Sequence, residues 1–366
     1  MFSFPTQLII ILIESSIEGV DCFWALRKVY IMTSIVSTWL PSMGASQSLA
    51  GQASMQTGYG LATSLLGDVM VAEAPSQKRA LQSIAQHDKP EVLVVDGDHD
   101  HIHHVLEAAS VPHARIAKAH AGHLRDALSM VPEAKALLIN CAEKFPKRTA
   151  LAARDFVQAG GLLLTTDWAL KPIIEVAFPG TISHNGRRTA GNVFVTVDRM
   201  DLDHLPGPQS RVLTKLGEQM EQPRWWLESA SWPFHRHSDD VQILLHSSEL
   251  KTQYGRGSVV VRWPHGKGWV YHMISHAYLQ RLAPPTFQAL GMGEGVSQTQ
   301  VWTTSLGASA ATSQAYAQAE QVVPDFSVEA ASNTAVSMMM LLAPVITALR
   351  PESASEVDQD NVVTQK

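Results

Sequence analysis

Cysteine is nearly absent from this chain: Cys22 and Cys141 are the only two, far apart and in unlike surroundings. A disulfide framework and a cysteine-rich zinc site are thereby excluded, and a reducing, cytoplasmic setting is expected. Basic charge is scarce as well. Lysine and arginine total 28 against 34 aspartates and glutamates, for a net charge of -6 and a pI near 6.2. With no basic stripe to neutralise phosphates, nucleic acid is not expected as a partner. No glycine-rich dinucleotide loop follows the first expected strand, so no cofactor is expected.

Long apolar runs are few. Near the start, "LIIILI" is too short to span a bilayer, no basic residue precedes it, and Glu14, Glu18 and Asp21 follow soon after. It does not read as a signal peptide, and a translation start at Met32 or Met43 is expected instead. Ala331 to Arg350 is long enough to span, but Ser332, Asn333, Thr334, Ser337 and Pro344 interrupt it. A terminal helix covering the core is expected there, not a membrane anchor. Exposure of Met338, Met339 and Met340 would support a tether or scaffold role.

What is present is enough for a large core: 366 residues, 45% hydrophobic. Residues 1–85 are rich in Ser, Gly, Ala and Gln without sustained periodicity and read as a loosely ordered leader. Residues 86–283 read as the ordered domain. "EVLVVDGD" has the uninterrupted apolar run of a buried parallel strand with a turn at its end. A helix in "HIHHVLEAAS" and a second strand in "VPHARIAK" complete a β-α-β opening. "HLRDALSMVPEA" reads as helix and "KALLINCAEK" as strand. "KRTALAARDFVQAGG" reads as a helix closed by Gly160 and Gly161, and "LLLTTDW" as another buried strand entering an elbow and a helix, "WALKPIIEVAF".

Alternating strands and helices predict an α/β fold with a doubly wound, mostly parallel sheet. From about Gly191 the texture turns β-rich, in "NVFVTVDR", "VQILLHSSEL" and "GSVVVRWPHGKGWVYHMISH". The last of these reads as a hairpin with a four-residue loop around Gly266 and Gly268, so a β-rich extension of the sheet is expected. Residues 284–328 are low in complexity and read as a linker, 329–350 as the terminal helix and 351–366 as a disordered tail.

"ALLINC", the helix "ALAARDFVQAGG" and then "LLLTTDWAL" resemble the class I glutamine amidotransferase-like superfamily, which has a flavodoxin-like fold and includes ThuA-like and non-enzymatic members. The resemblance runs from about Glu91 to Gln280. It implies a reactive cysteine at the elbow, where a tight turn and a helix start lower its pKa. In this chain that position is Asp167. Cys141 ends the preceding strand, where the family carries a glycine-rich oxyanion segment that "NCAEKF" does not reproduce. "GKGWVYHMISH" resembles the late strand and histidine region of ThuA-like relatives and brings forward His276.

Ligands of doubly wound sheets bind beyond the carboxyl ends of the strands. Asp96, Asp98, Asn140, Thr166, Trp168 and His184 are therefore candidate ligand-binding residues, and Asp167, His276 and Cys141 candidate catalytic ones. Each has a plainer alternative. Asp167 reads first as the cap of the following helix, Cys141 as a passive buried thiol, and His276 as a structural histidine. "DGDHDHIHH", with His235, His237, His272 and His276, invites a metal, but the spacing fixes no tetrahedral set and no metal is expected. Trp225, Trp226, Trp232 and Phe234, close to Glu228, read as core filling before they read as a pocket. The leading expectation is a non-catalytic amidotransferase-like domain binding a small molecule or partner protein at the strand ends. The rival is a hydrolase or lyase acting on a sugar-like or ester substrate through Asp167 and His276, with or without a metal. Oligomeric state is not legible in the sequence.

Overall fold

The computed structural model describes residues 49–350, apart from 99, 191–192, 202, 205–208, 219–222, 228–229, 277–302, 304 and 323–327. All of these belong to the unit running from Ala45 to Lys366. In chain order the elements are α1 (Leu49–Glu73), α2 (Pro75–Ala85), β1 (Val92–Val95), α3 (Ile102–Ala108), β2 (His113–Ile116), α4 (Leu124–Met130), β3 (Ala136–Ile139), α5 (Lys147–Gln158) and β4 (Leu162–Thr166). There follow α6 (Ile174–Ala177), β5 (Ile182–His184), β6 (Val193–Thr196), β7 (Arg199–Met200), α7 (Gln209–Glu218), β8 (Arg224–Leu227), β9 (Phe234–Arg236), β10 (Gln242–His246) and α8 (Ser248–Tyr254). The chain then forms β11 (Ser258–His265), β12 (Gly268–Met273), α9 (Ala310–Val322) and α10 (Val328–Leu349).

The eight-stranded central sheet has the order β2-β1-β3-β4-β12-β11-β10-β7. From β2 to β12 every neighbouring pair is parallel, and from β12 to β7 every pair is antiparallel. The fold is α/β, with the 2-1-3-4 order of a flavodoxin-like sheet and a β-rich extension beyond it. The central strands form because they are short apolar runs with no polar alternation, buried on both faces: Val92–Val95 and Ala136–Ile139 are buried throughout. The chain crosses from β1 to β2 in one direction and from β2 through β3 to β4 in the other. Right-handed crossovers therefore set α3 and α5 on opposite faces.

Between β1 and β3 lies the switch point, and one glycine lets the loops after these strands meet there. A side chain on Gly97 would overlap the backbone carbonyl of Cys141, the carbonyl that also accepts a 2.8 Å hydrogen bond from the Asp98 N–H. At the other end of the sheet, α5 stops where Gly160 takes φ 121°. There the Gly161 N–H reaches the Phe156 carbonyl and the Gly160 N–H the Val157 carbonyl, the two bonds of a Schellman cap.

The structure corrects several expectations. Residues 49–85, read as leader, are the helices α1 and α2. Tyr59, Leu65, Leu66, Val69 and Met70 of α1 are buried, but the exposed side carries Gly60, Ser64 and Val71 in place of charged residues, so no amphipathic period betrays the helix. Residues 310–322, read as linker, are α9, whose buried Tyr316 hydroxyl donates to the Leu61 carbonyl of α1 at 3.1 Å. The hairpin loop has two residues, not four, because pairing continues to His265 opposite Gly268. Gly266 stands at φ 59° in the first central position, where a type II′ turn places glycine. "NVFVTVDR" divides into β6, which pairs with β8 in a small separate sheet, and β7 at the edge of the main sheet.

The helix expected after the elbow breaks into a 3₁₀ turn, Asp167–Leu170, and the short α6, with Pro172 between them. Residues 1–48, 284–302 and 351–366, with the expectations of leader, start site, linker and tail that fall on them, lie outside the described residues. So does Glu228.

Helix α10 packs on β3 and β4 and against α1. Its stretch Ala331–Leu349 is long and apolar enough to cross a membrane, by length and composition, yet 89% of it is buried inside the protein. Met338, Met339 and Met340 are all buried, so they offer no exposed face to a partner. At its far end Arg350 pairs with Glu91 at 2.7 Å, and Lys135 holds the same carboxylate at 2.7 Å. The terminal helix is thus tied to the entry of β1.

Candidate functional site

Three side chains meet beyond the carboxyl ends of the parallel strands. Cys141 follows β3, Asp167 follows β4 and His276 follows β12, and one donor atom from each lies within 4.8 Å of the others. All three are nearly closed to solvent, at 1%, 2% and 4% exposure. The imidazole Nε2 of His276 stands 3.7 Å from Asp167 Oδ2, and the Cys141 thiol lies within 4.8 Å of both groups.

The elbow is held by backbone geometry and by a distant loop. Asp167 has φ 37°, a left-handed conformation that an L-residue adopts at a cost. Its carboxylate does not cap the helix that follows: the N-cap is Thr166, and no side chain caps that end. Instead Oδ2 accepts from Ser231 Oγ and Oδ1 from the Trp232 N–H, each at 3.0 Å. Ala230, just before them, is itself at φ 69°, and its carbonyl accepts the Trp168 indole N–H at 2.8 Å. Elbow and loop therefore fasten each other.

His276 is positioned from its neighbour. The Trp225 indole N–H donates to Ser275 Oγ at 2.6 Å, so the buried tryptophan fixes the chain one residue before the imidazole. Trp225 and Phe234 are otherwise core residues, as their composition suggests.

Electrostatics follow from burial. Burial pushes the Asp167 carboxyl up to about 7, against the opposing pull of His276 and the two hydrogen bonds, and the charge of Asp100 pushes the same way as burial. Burial likewise pushes the Cys141 thiol up to about 11, against the opposing pull of His276. A thiol so placed is a poor nucleophile at neutral pH. Asp100 is itself only 2% exposed. Its Oδ1 accepts the His101 N–H at 2.7 Å, and its Oδ2 has no hydrogen-bond partner among the described residues.

The remaining candidates divide. Asn140 is wholly buried and used at both ends: Oδ1 accepts the Ile102 N–H at 3.0 Å and Nδ2 donates to the Val95 carbonyl at 3.1 Å, which joins β1, β3 and the start of α3. Asp96 is forked by Arg115 at 3.0 to 3.1 Å, and Asp98 is paired with Lys118 at 2.6 Å. These two carboxylates are committed to ion pairs along the rim. Thr166 is buried, and its hydroxyl has no partner among the described residues.

Trp168 and Trp232 both lie under the Arg188 guanidinium, 5.2 and 4.4 Å from the ring centres. His184 packs edge-on to Trp232 at 5.0 Å, with its ring held by Glu175 at 2.7 Å. His101, His103 and His104 lie close together, with ring centres 4.2 to 5.6 Å apart. Burial drives the buried His103 down to about 2 and the half-buried His104 to about 4, so both are neutral. His272, bonded to Thr165 at 2.8 Å and driven by burial to about 3, is neutral too.

Ser231, Ala230, Asp100 and Arg188 were not singled out from the sequence, and Trp232 read first as core filling. Only the aromatic crowding of "WWLESASW" marked the region of Ala230, Ser231 and Trp232, and nothing in it points to an acid sixty residues earlier.

No protein-family model matches the chain, and no curated protein matches it in sequence. Among solved structures it resembles an exo-β-1,4-mannosidase from an Opitutaceae bacterium (12% identity over 52% of this chain and 32% of that one, TM-score 0.34). It also resembles a protein described as ThuA-like from Bacteroides uniformis (14% identity, 52% and 83%, TM-score 0.34) and a cytoplasmic protein from Salmonella typhimurium (11% identity, 51% and 88%, TM-score 0.35). The chain spans about a third or less of the length of the glycosidases it matches.

Proposed function

We propose that this chain is an amidotransferase-like α/β domain that binds a small molecule at the carboxyl ends of its parallel strands and does not carry out the family's thiol chemistry. One observation carries this reading. The elbow holds Asp167, nearly closed to solvent, with both carboxylate oxygens already accepting from Ser231 and Trp232. Such a group shapes a rim and is not presented as a nucleophile. The neighbouring thiol, held protonated by burial, does not replace it. The test is ammonia release from glutamine and hydrolysis of an ester and glycoside panel. No turnover is expected from the folded protein, and turnover abolished by Cys141→Ser or Asp167→Asn overturns the reading.

A second reading is favoured by the Asp167 and His276 pair, 3.7 Å apart. A carboxyl raised to about 7 by burial beside an imidazole is a competent acid-base couple for a hydrolase or lyase acting on a sugar-like or ester substrate. It requires a pH-rate profile with an ionisation near neutrality that Asp167→Asn removes.

A further inference from the structure

We infer that Cys141, Asp167 and His276 form a three-ligand site for a divalent ion of the zinc type, held between the loops that leave β3, β4 and β12. The inference rests on the proposal that the strand-end rim is a ligand site, and it names the first ligand.

The donor set is one sulfur, one carboxylate oxygen and one imidazole nitrogen. Zinc takes this combination, whereas magnesium and calcium prefer oxygen alone. The spacing is nearer to that of a shared ion than to a direct hydrogen bond. A direct imidazole-carboxylate hydrogen bond closes to about 2.8 Å, while an imidazole nitrogen and a carboxylate oxygen on one tetrahedral ion, at bond lengths of about 2.0 to 2.2 Å, stand roughly 3.3 to 3.5 Å apart. His276 Nε2 and Asp167 Oδ2 stand at 3.7 Å and the thiol lies within 4.8 Å of the other donor atoms, so the three donors close in slightly on an ion.

Charge supports the geometry. Asp100 is buried, close enough to Asp167 for its charge to oppose ionisation there, and its Oδ2 has no partner among the described residues. The nearby Arg115 is forked onto Asp96 instead. An ionised Asp167 is costly in a low dielectric beside a second buried acid, and a dication at the donor cluster offsets that cost.

The supports have the form of an outer coordination sphere. Ser231 and Trp232 orient the carboxylate, Trp225 fixes the residue before His276, and the Asp98 N–H holds the Cys141 carbonyl. Binding displaces the thiol proton, and any proton on Asp167, to solvent, and the thiolate and carboxylate then ligate. Three protein ligands leave a fourth position for an oxygen of a bound small molecule, as in zinc sites that take substrate.

The test uses the full chain and the metal alone. Elemental analysis of protein refilled with Zn²⁺ is expected to give one equivalent per chain. Co²⁺ in its place is expected to give intense visible bands of a four-coordinate ion and a sulfur-to-cobalt charge-transfer band in the near ultraviolet. Cys141→Ser should lose that band, and Asp167→Asn or His276→Gln should weaken binding tenfold or more, whereas His272→Gln should not. Circular dichroism reports whether each variant folds. A folded wild-type chain that takes up no Zn²⁺ and gives no charge-transfer band with Co²⁺ overturns the inference even if every variant misfolds, as does a band that survives Cys141→Ser. Thermal shift against a small-molecule panel separates the two proposals: a hit lost in Trp168→Ala without metal uptake leaves the rim a ligand site and removes the ion, and no hit and no metal remove both.

Discussion

Asp167 places an acid in a left-handed backbone conformation at the end of a buried strand, and two hydrogen bonds from another part of the chain keep it there. The pH dependence follows from its burial. In the metal-free folded protein the carboxyl titrates near 7, against an ordinary value of 3.8. Between those values the native state holds a proton that the unfolded chain has released. The stabilisation from this group is therefore complete below the lower value and is lost as pH rises through the upper one. Denaturant titrations in chelator should show Asp167→Asn gaining on the wild type from pH 4 to pH 8, since asparagine does not titrate. A difference that stays constant over that range contradicts the reading.

Two backbone positions can be tested beside it. Ala230 at φ 69° should be stabilised by glycine, by up to about 1 kcal/mol, and destabilised by valine. Gly97→Ala, whose methyl overlaps the Cys141 carbonyl, should cost about 1 to 3 kcal/mol in a thermal or urea melt. None of these backbone conditions was legible in the sequence. Asp167 read most simply as a helix cap, because an acid at the start of a helix has that role more often than it has partners in a distant loop.

At the scale of elements, legibility followed burial geometry. The central strands announced themselves because a parallel strand buried on both faces is an unbroken apolar run closed by a turn, as in "EVLVVDGD" and "LLLTTDW". Helices α1 and α9 did not. Their Ala, Ser and Gln content imitates a linker, and the exposed side of α1 carries Gly60, Ser64 and Val71 in place of charged residues, so no polar stripe marks a period. Helix α10 was legible as a core helix from its length and polar interruptions. Met339→Ala within it should cost about 2 to 5 kcal/mol in a urea melt. An unchanged midpoint contradicts its packing on β3 and β4.

Across the whole molecule, one topological rule did most for the candidate site. Cys141, Asp167 and His276 are separated by 26 and 109 residues in the chain, yet strands that run parallel and adjacent deliver their ends to one rim, and the order β3-β4-β12 puts these three side by side. Their meeting follows from the sheet, whereas their partners do not. Ser231 and Trp232 reach the elbow from the β-rich extension, whose path depends on side-chain packing that no local pattern encodes. The measurement that bears hardest on this arrangement is an experimental structure of the full chain. We expect the Cys141 sulfur, the Asp167 carboxylate and the His276 imidazole within 4.8 Å of one another at the strand ends. A structure in which His276 turns away from the rim, leaving Asp167 with Ser231 and Trp232 alone, contradicts it.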